Sequence, residues 1–196
     1  MSVQASMVGD VFDLTSGDAH DAQLVARASD DPRAFEQIYR RHYRMVAAYL
    51  YRRTGDTHAA EDLAAETFLA AMKSVRSMHA RGVPARLWLL RTATNAASRW
   101  SRTAARRARR ETARARPDES PDPRSDRSEE LEAVRAAIER LPERFKAVLC
   151  LNTLAGLSTS ETATALGVRE GTVKSRAARA REMIRRSLGQ TTGGAR

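Results

Sequence analysis

The sequence is poor in the residues that build disulfide-linked or metal-stabilised folds. It contains one cysteine, Cys150, and only four histidines in 196 residues. A single thiol cannot form an intramolecular disulfide, and the histidines lack the spacing of metal ligands. There is no apolar run of about eighteen residues, and the N-terminus lacks the basic and apolar regions of a signal peptide. We therefore expect a cytoplasmic protein with no metal, no cofactor and no membrane insertion.

Lysine is scarce as well, whereas arginine is abundant. Lys and Arg together number 34 against 24 Asp and Glu, which gives a formal net charge of +10. A strongly basic chain binds polyanions because each neutralised phosphate releases condensed counterions. A guanidinium group can also hold a phosphate or a guanine through two hydrogen bonds. Nucleic acid is therefore the expected partner, although a solubilising arginine-rich surface is an alternative explanation.

Strand patterns are absent, and apolar residues recur every three or four positions, which predicts an all-α protein. From Arg102 to Arg127 no apolar residue is larger than alanine, so this segment cannot bury a core and is expected to be a flexible linker. We expect two small helical domains, each with its own modest core. The predicted organisation is an N-terminal extension (1–20), a first domain (21–103), a basic linker (104–127), a second domain (128–188) and a tail (189–196).

Three local predictions concern the first domain. Its third helix is expected to end near Val75, so that the segment 78–83 forms a loop around Gly82. Pro84 then opens the next helix, where a proline lacking an N–H is tolerated in the first turn. On that helix Trp88 lies among leucines, and we expect it to belong to the core.

The second domain contains the strongest local motif. Ser158–Glu161 has the spacing of a capping box, Leu166-Gly167 can close a short helix, and a longer helix is expected from Gly171 or Thr172. Two helices joined by so short a turn form a helix-turn-helix. The apolar positions of the longer helix share one side: Val173, Ala177, Ala180, Ile184 and Leu188. The polar and basic face that remains outside suits the major groove of DNA.

These motifs resemble the extracytoplasmic-function family of bacterial sigma factors. Gly156–Ser158, Leu166–Val168 and Gly171–Arg176 resemble region four of that family, and Asp62–Phe68 resembles its region two. The two motifs stand in the family's order, separated by a linker. The resemblance implies a non-enzymatic initiation factor that binds core RNA polymerase and promoter DNA, and often an anti-sigma factor. Thr162 departs from the family, which usually has isoleucine there, and we expect it to loosen the packing of its helix.

The resemblance also implies three sets of site residues. An acidic helical face would dock on the clamp helices of the largest polymerase subunit, and it comprises Glu61, Asp62, Glu66 and Thr67. The minus-ten promoter element would be contacted and opened by Arg81, Arg91, Asn95, Arg99, Trp100 and Arg102. The minus-thirty-five element would be contacted by Arg169, Thr172, Lys174, Ser175, Arg176 and Arg179.

Several alternatives stay open at this point. Acids near a helix N-terminus can simply favour the helix dipole. Trp100 could stack on an exposed base or merely cover the edge of the domain. At the level of the whole chain, the alternative function is a stand-alone helix-turn-helix regulator whose N-terminal helices dimerise or sense a ligand.

Overall fold

A computed structural model describes residues 18–112 and 126–192, and every regular element in these two ranges is an α-helix. The predicted all-α class is therefore confirmed. The helices are α1 (Asp18–Arg27), α2 (Pro32–Thr54), α3 (Thr57–Arg81), α4 (Ala85–Thr112), α5 (Asp126–Glu139), α6 (Glu143–Thr153), α7 (Thr159–Leu166) and α8 (Glu170–Thr192). Within the described ranges no helix is long and apolar enough to cross a membrane. The predicted extension up to residue 17, the linker centre from 113 to 125 and the tail from 193 lie outside the described residues.

The helix ends in the first domain follow from capping residues. Asp31 caps α2, since its carboxylate accepts a hydrogen bond from the Arg33 N–H at 2.9 Å, and Pro32 occupies the first turn. Asp56 caps α3 in the same way through the Ala59 N–H at 3.0 Å. The predicted end of α3 near Val75 is wrong. The helix continues to Arg81 because Gly82, with φ of 60°, provides its left-handed C-cap.

Helix α4 also extends further than the sequence pattern indicates. It runs to Thr112, well into the segment predicted to be a linker. Residues 102–112 contain neither proline nor glycine, and they are rich in alanine and arginine, which have high helix propensity. The absence of large apolar residues was therefore a poor guide to the end of this helix.

The largest hydrophobic cluster spans both domains, whereas the sequence analysis expected each domain to have its own core. The largest buried cluster contains α1–α4 residues such as Ile38, Leu50 and Leu90, and it also contains Cys150 and Leu151 of α6. Trp88 is half-buried and packs against this cluster, as expected. The C-terminal helices thus cover apolar surface of the N-terminal bundle that would otherwise face water.

Two smaller clusters hold the C-terminal helices together. Val148, Ala163, Val173 and Ala177 join α6, α7 and α8, and a second group joins the end of α5 to α6 and α8. Thr162 on α7 is fully buried, and its hydroxyl donates to the Asn152 side-chain oxygen at 2.6 Å. Its polar atom therefore has a partner in the position where the family usually has an apolar side chain.

Candidate nucleic-acid interface

The helix-turn-helix is formed by α7, a short turn and α8. The predicted capping box is confirmed, because Ser158 Oγ accepts from the Glu161 N–H at 3.2 Å and Glu161 Oε2 accepts from the Ser158 N–H at 2.8 Å. Gly167, with φ of 66°, ends α7, and its N–H bonds to carbonyl oxygens of that helix. These caps fix the angle at which the chain leaves α7 and enters α8.

Helix α8 has one buried side and one polar side, as its sequence pattern predicted. Val173, Ala177 and Ala180 are buried. With 3.6 residues per turn, Ser175 points directly away from this side, and its hydroxyl donates to the Thr172 carbonyl at 3.0 Å. Arg179 is exposed on the same outer face.

The other predicted residues divide between the flanks of α8. Thr172 and Arg176 are half-buried on one flank of the outer face. Lys174 is exposed on the opposite flank, and Arg169 is exposed in the turn before the helix. The structure therefore brings together Thr172, Ser175, Arg176 and Arg179, whereas Lys174 and Arg169 border this group.

A second basic face lies on α4. Arg91, Asn95, Arg99 and Arg102 are separated by four, four and three residues, so they share one side of the helix. Asn95, Arg99 and Arg102 are exposed, and Arg91 is half-buried. Arg81 is also exposed, but it lies at the C-terminal end of α3 rather than on this face.

Trp100 departs from the predicted set. It is half-buried, packs against the shared core and lines a cavity between the two domains with Leu149 and Leu154. Its position along α4 places it on a different side from Arg99 and Arg102. In this structure Trp100 therefore has a packing role at the edge of the first domain.

The acidic residues on α3 form a third surface. Glu61, Asp62 and Glu66 are exposed on one side of the helix, and Glu66 forms an ion pair with Arg99 of α4. Thr67 must be removed from this set because it is fully buried and its hydroxyl donates to the Leu63 carbonyl at 2.7 Å. It cannot contact a partner directly.

Sequence reasoning missed the apolar part of this third surface. Leu69 and Met72 are 55% and 48% exposed, and they lie on the same side of α3 as the acids. Beside them Tyr39 is partly exposed and packs edge-on against Phe68, with 4.8 Å between ring centroids. Apolar residues at helical spacing are ordinarily buried, so the sequence held no signal for the exposure of Met72 and Tyr39. Large exposed apolar side chains next to charges are typical of a protein interface.

The capping box also affects the pKa of its glutamate. Burial alone would raise the pKa of Glu161, but hydrogen bonds from the Ser158 N–H and from Arg86 hold its pKa below the usual value. Among the described residues, no group of three or more His, Cys, Asp and Glu side chains could hold a metal ion.

Both halves of the chain match known family models. Residues 38–107 match Sigma-70 region 2, and residues 131–184 match Sigma-70, region 4. The chain is 36% identical over 181 residues to the ECF RNA polymerase sigma factor SigM of Mycobacterium tuberculosis, with 89% of this chain and 87% of the relative covered. It is 31% identical over 179 residues to SigL of the same species, with 87% and 99% covered.

Solved structures show the same fold. The chain resembles CnrH in complex with the cytosolic domain of CnrY, with a TM-score of 0.59, 26% identity, and 87% of this chain and 97% of that chain covered. It also resembles the sigma factor RpoE from Bartonella quintana in complex with the anti-sigma factor NepR, with a TM-score of 0.54 and 23% identity over 79% and 96% of the two chains. The second likeness concerns the fold alone.

Proposed function

Because the chain belongs to the extracytoplasmic-function sigma factors, we propose that its three surfaces divide the work of transcription initiation. As a sigma factor it binds core RNA polymerase and directs it to promoters. The observation that carries this conclusion is the match to both sigma regions, in the family's order, within one chain. The assignment of the surfaces is our own inference.

The outer face of α8 is proposed to read the minus-thirty-five element. The capped turn before α8 presents the start of the helix, and Thr172, Ser175, Arg176 and Arg179 lie on one side near that start. Residues near the N-terminus of a recognition helix are those that reach base edges in the major groove. Arg169 and Lys174 at the border suit contacts to phosphates on either side.

The basic face of α4 is proposed to contact the minus-ten element. Asn95, Arg99 and Arg102 present hydrogen-bond donors along one exposed stripe, with Arg91 at its edge. Opening DNA without ATP requires contacts with the separated strand that offset an unstacking cost of a few kcal/mol per base. With Trp100 assigned to packing, polar and basic residues supply these contacts.

The acidic and apolar surface of α3 is proposed to bind the polymerase clamp. Exposed Leu69 and Met72 provide apolar area that the polymerase can bury, and Glu61 and Asp62 provide charges at the rim of that area. Replacing the two rim acids by Glu61→Gln with Asp62→Asn removes two exposed charges, each contributing about 0.2–1 kcal/mol. We expect core polymerase to bind roughly 2- to 30-fold more weakly at low salt, with a smaller difference at high salt.

A matched control for this test is Glu36→Gln. Glu36 is exposed on α2, and among residues 18–112 and 126–192 its ion-pair partner is Arg40 of the same helix, at 2.7 Å. Affinity for core polymerase can be measured by fluorescence anisotropy of labelled protein over a salt series. Equal effects of the control and the double variant would contradict the assignment of this surface.

Run-off transcription with purified core polymerase tests the function as a whole. The chain should produce defined transcripts from a promoter that core polymerase alone does not use. A chain that bound DNA but never directed core polymerase would instead support the stand-alone regulator, which the region 2 match already disfavours.

Three further properties belong to this proposal. We place the protein in the cytoplasm, where core polymerase works, and we assign it no catalytic activity of its own. We also propose an anti-sigma partner, because members of the family often have one and a similar solved structure, that of CnrH, is a complex with the cytosolic domain of CnrY.

A further inference from the structure

The cavity that Trp100 lines has no part in the proposed function. Its volume is about 650 Å³, and small-molecule sites in proteins ordinarily measure about 300–1,000 Å³. Residues of α2 and α4 line one side of it, and residues of α5 and α6 line the other. We call this space the amphipathic cavity, because apolar side chains and arginines line it together.

The apolar part of the lining is large and incompletely covered. It includes Trp100 of α4, Ile138 of α5, and Leu149 and Leu154 at the end of α6. Trp100, Ile138 and Leu154 are only half-buried, so part of their apolar surface still meets water. Removing such surface from water is favourable. The apolar body of a ligand would therefore be stabilised in this cavity.

Three exposed arginines line the same cavity, namely Arg52, Arg135 and Arg140. The guanidinium of Arg135 lies against the α2–α3 turn, where a Cβ atom on Gly55 would be 2.7 Å from its Nη2. Arg52 donates one hydrogen bond to the Leu154 carbonyl at 3.0 Å, which leaves most of its five N–H donors available. Guanidinium groups with available donors bind carboxylates through two parallel hydrogen bonds.

The charge of the lining is strongly positive. Of the described residues that line the cavity, five are basic and one, Glu139, is acidic. The Glu139 carboxylate already accepts from Lys146 Nζ at 2.9 Å, and Arg53 is paired with Glu143 at 2.7 Å. The three exposed arginines therefore provide the charge that a bound anion would meet.

We propose that the amphipathic cavity binds a single-chain amphiphilic anion, of which a medium-chain fatty acid is the simplest. Its chain lies against Trp100, Leu149 and Leu154, and its carboxylate accepts hydrogen bonds from the exposed arginines. A nucleotide fits less well, because its sugar and base would place polar groups against apolar side chains. This site goes beyond the proposed function and does not depend on it.

Displacement of a fluorescent probe tests the chemistry of the ligand. Anilinonaphthalene sulfonate is an aromatic anion that fluoresces at apolar surfaces. The native full chain should bind one equivalent of it, and dodecanoate should displace it. Dodecyltrimethylammonium has the same chain with the opposite charge and should not. Displacement by the cation at the same concentration would overturn the proposal.

Chain length tests the apolar contribution. Each methylene that is buried tightens binding by up to about fourfold, so decanoate should bind up to about 15-fold more weakly than dodecanoate. An affinity that does not depend on chain length would overturn the proposal, because the arginines alone would then account for binding.

Two variants test the position of the site. Ala136 of α5 is half-buried and lines the cavity, so Ala136→Phe should fill the space and abolish binding of the probe. Arg135→Gln with Arg140→Gln removes two exposed charges and should weaken dodecanoate binding roughly 2- to 30-fold. Affinity for dodecanol, which has no charge, should stay unchanged in the arginine variant. If Ala136→Phe loses helix content by circular dichroism, the arginine variant decides alone.

The matched control is Arg33→Gln with Arg44→Gln. Both residues are exposed on α2, and neither lines the cavity. This variant has the same net charge as the cavity variant and should bind dodecanoate as wild type does. Equal weakening in the two double variants would overturn the proposal, because the net charge of +10 would then attract the anion without a defined site.

Trp100 can report where the ligand lies. The chain has two tryptophans, so Trp88→Phe leaves Trp100 as the sole one. Dodecanoate brominated at its chain end quenches an indole that it touches, and it should quench Trp100 in this variant. Displacement of the probe without quenching would place the ligand elsewhere and overturn the proposal. These measurements need no polymerase, so their outcome is independent of the run-off test of the proposed function.

Discussion

Asp21 offers a test of how the N-terminal helix is attached to the rest of the first domain. Its side chain is 2% exposed, with His42 Nε2 2.7 Å from Oδ2 and Arg41 Nη1 3.0 Å from Oδ1. Burial alone would raise the pKa of Asp21, but His42 and Arg41 together hold its pKa below the usual value. The substitution Asp21→Asn keeps the shape of the side chain and removes its charge.

The expected cost of Asp21→Asn follows from these two contacts. A hydrogen bond to a charged group contributes about 1.5–3 kcal/mol, which applies to the buried contact with His42. Arg41 is 43% exposed, so its ion pair contributes only about 0–1 kcal/mol. We therefore expect a loss of about 1.5–4 kcal/mol at neutral pH, or a fall in melting temperature of roughly 3–15 °C.

The pH dependence of this loss has a definite sign. A carboxyl whose pKa is lower in the folded state than in the unfolded state contributes stability above its unfolded pKa, about 3.9 for aspartate. That contribution disappears as the pH falls through the lower, folded pKa. The difference in unfolding free energy between wild type and variant should thus shrink as the pH falls below about pH 4.

Urea unfolding followed by circular dichroism over this pH range measures both quantities. The control is Asp30→Asn, because Asp30 is 83% exposed and its contact with Arg76 is long, at 3.4 Å. The reasoning is refuted if Asp21→Asn is as stable as the control at neutral pH. It is also refuted if the difference from wild type grows on acidification.

Two further predictions concern the second domain. Arg179→Ala should lose about 1–3 kcal/mol of discrimination between cognate and altered minus-thirty-five sequences, measured as binding affinity for each duplex. Arg181→Ala is the control, because Arg181 lies on another side of α8 and its loss should leave discrimination unchanged. Equal weakening of Arg179→Ala on all sequences would assign Arg179 to phosphate contacts instead. Thr162→Val should destabilise the protein by about 0.5–1.5 kcal/mol because it removes the donor to Asn152, as measured by urea unfolding. No loss would mean that the apolar gain of the methyl group offsets the hydrogen bond.

The helix-turn-helix was predictable from sequence because its signals are local. The capping box depends on two residues three positions apart, and the faces of α8 depend on a period of 3.6. The residues of the basic face on α4 and the acids on α3 came instead from the resemblance to the family. Local reasoning failed at helix ends, because Gly82 sets the C-terminus of α3 and helix propensity extends α4.

The contacts between the domains could not be read from the sequence. Arg86 and Glu161 are 75 positions apart, and nothing in their local patterns distinguishes them from solvated charges. Arg53 lies in the last turn of α2, where an exposed arginine favourable to the helix dipole is the ordinary expectation. Thr67 was misassigned for a related reason, because periodicity gives the side of a helix and not the neighbour that covers it.

The core that the two domains share lies within one chain, and this covalent link affects how firmly the domains stay docked. Since the C-terminal domain remains covalently tethered, it meets the N-terminal domain at an effective concentration that dilution of the protein does not change, on the order of millimolar for short tethers. Contacts too weak to hold two separate proteins together are then sufficient to keep the domains docked. The docking is therefore independent of how much of the protein a cell contains.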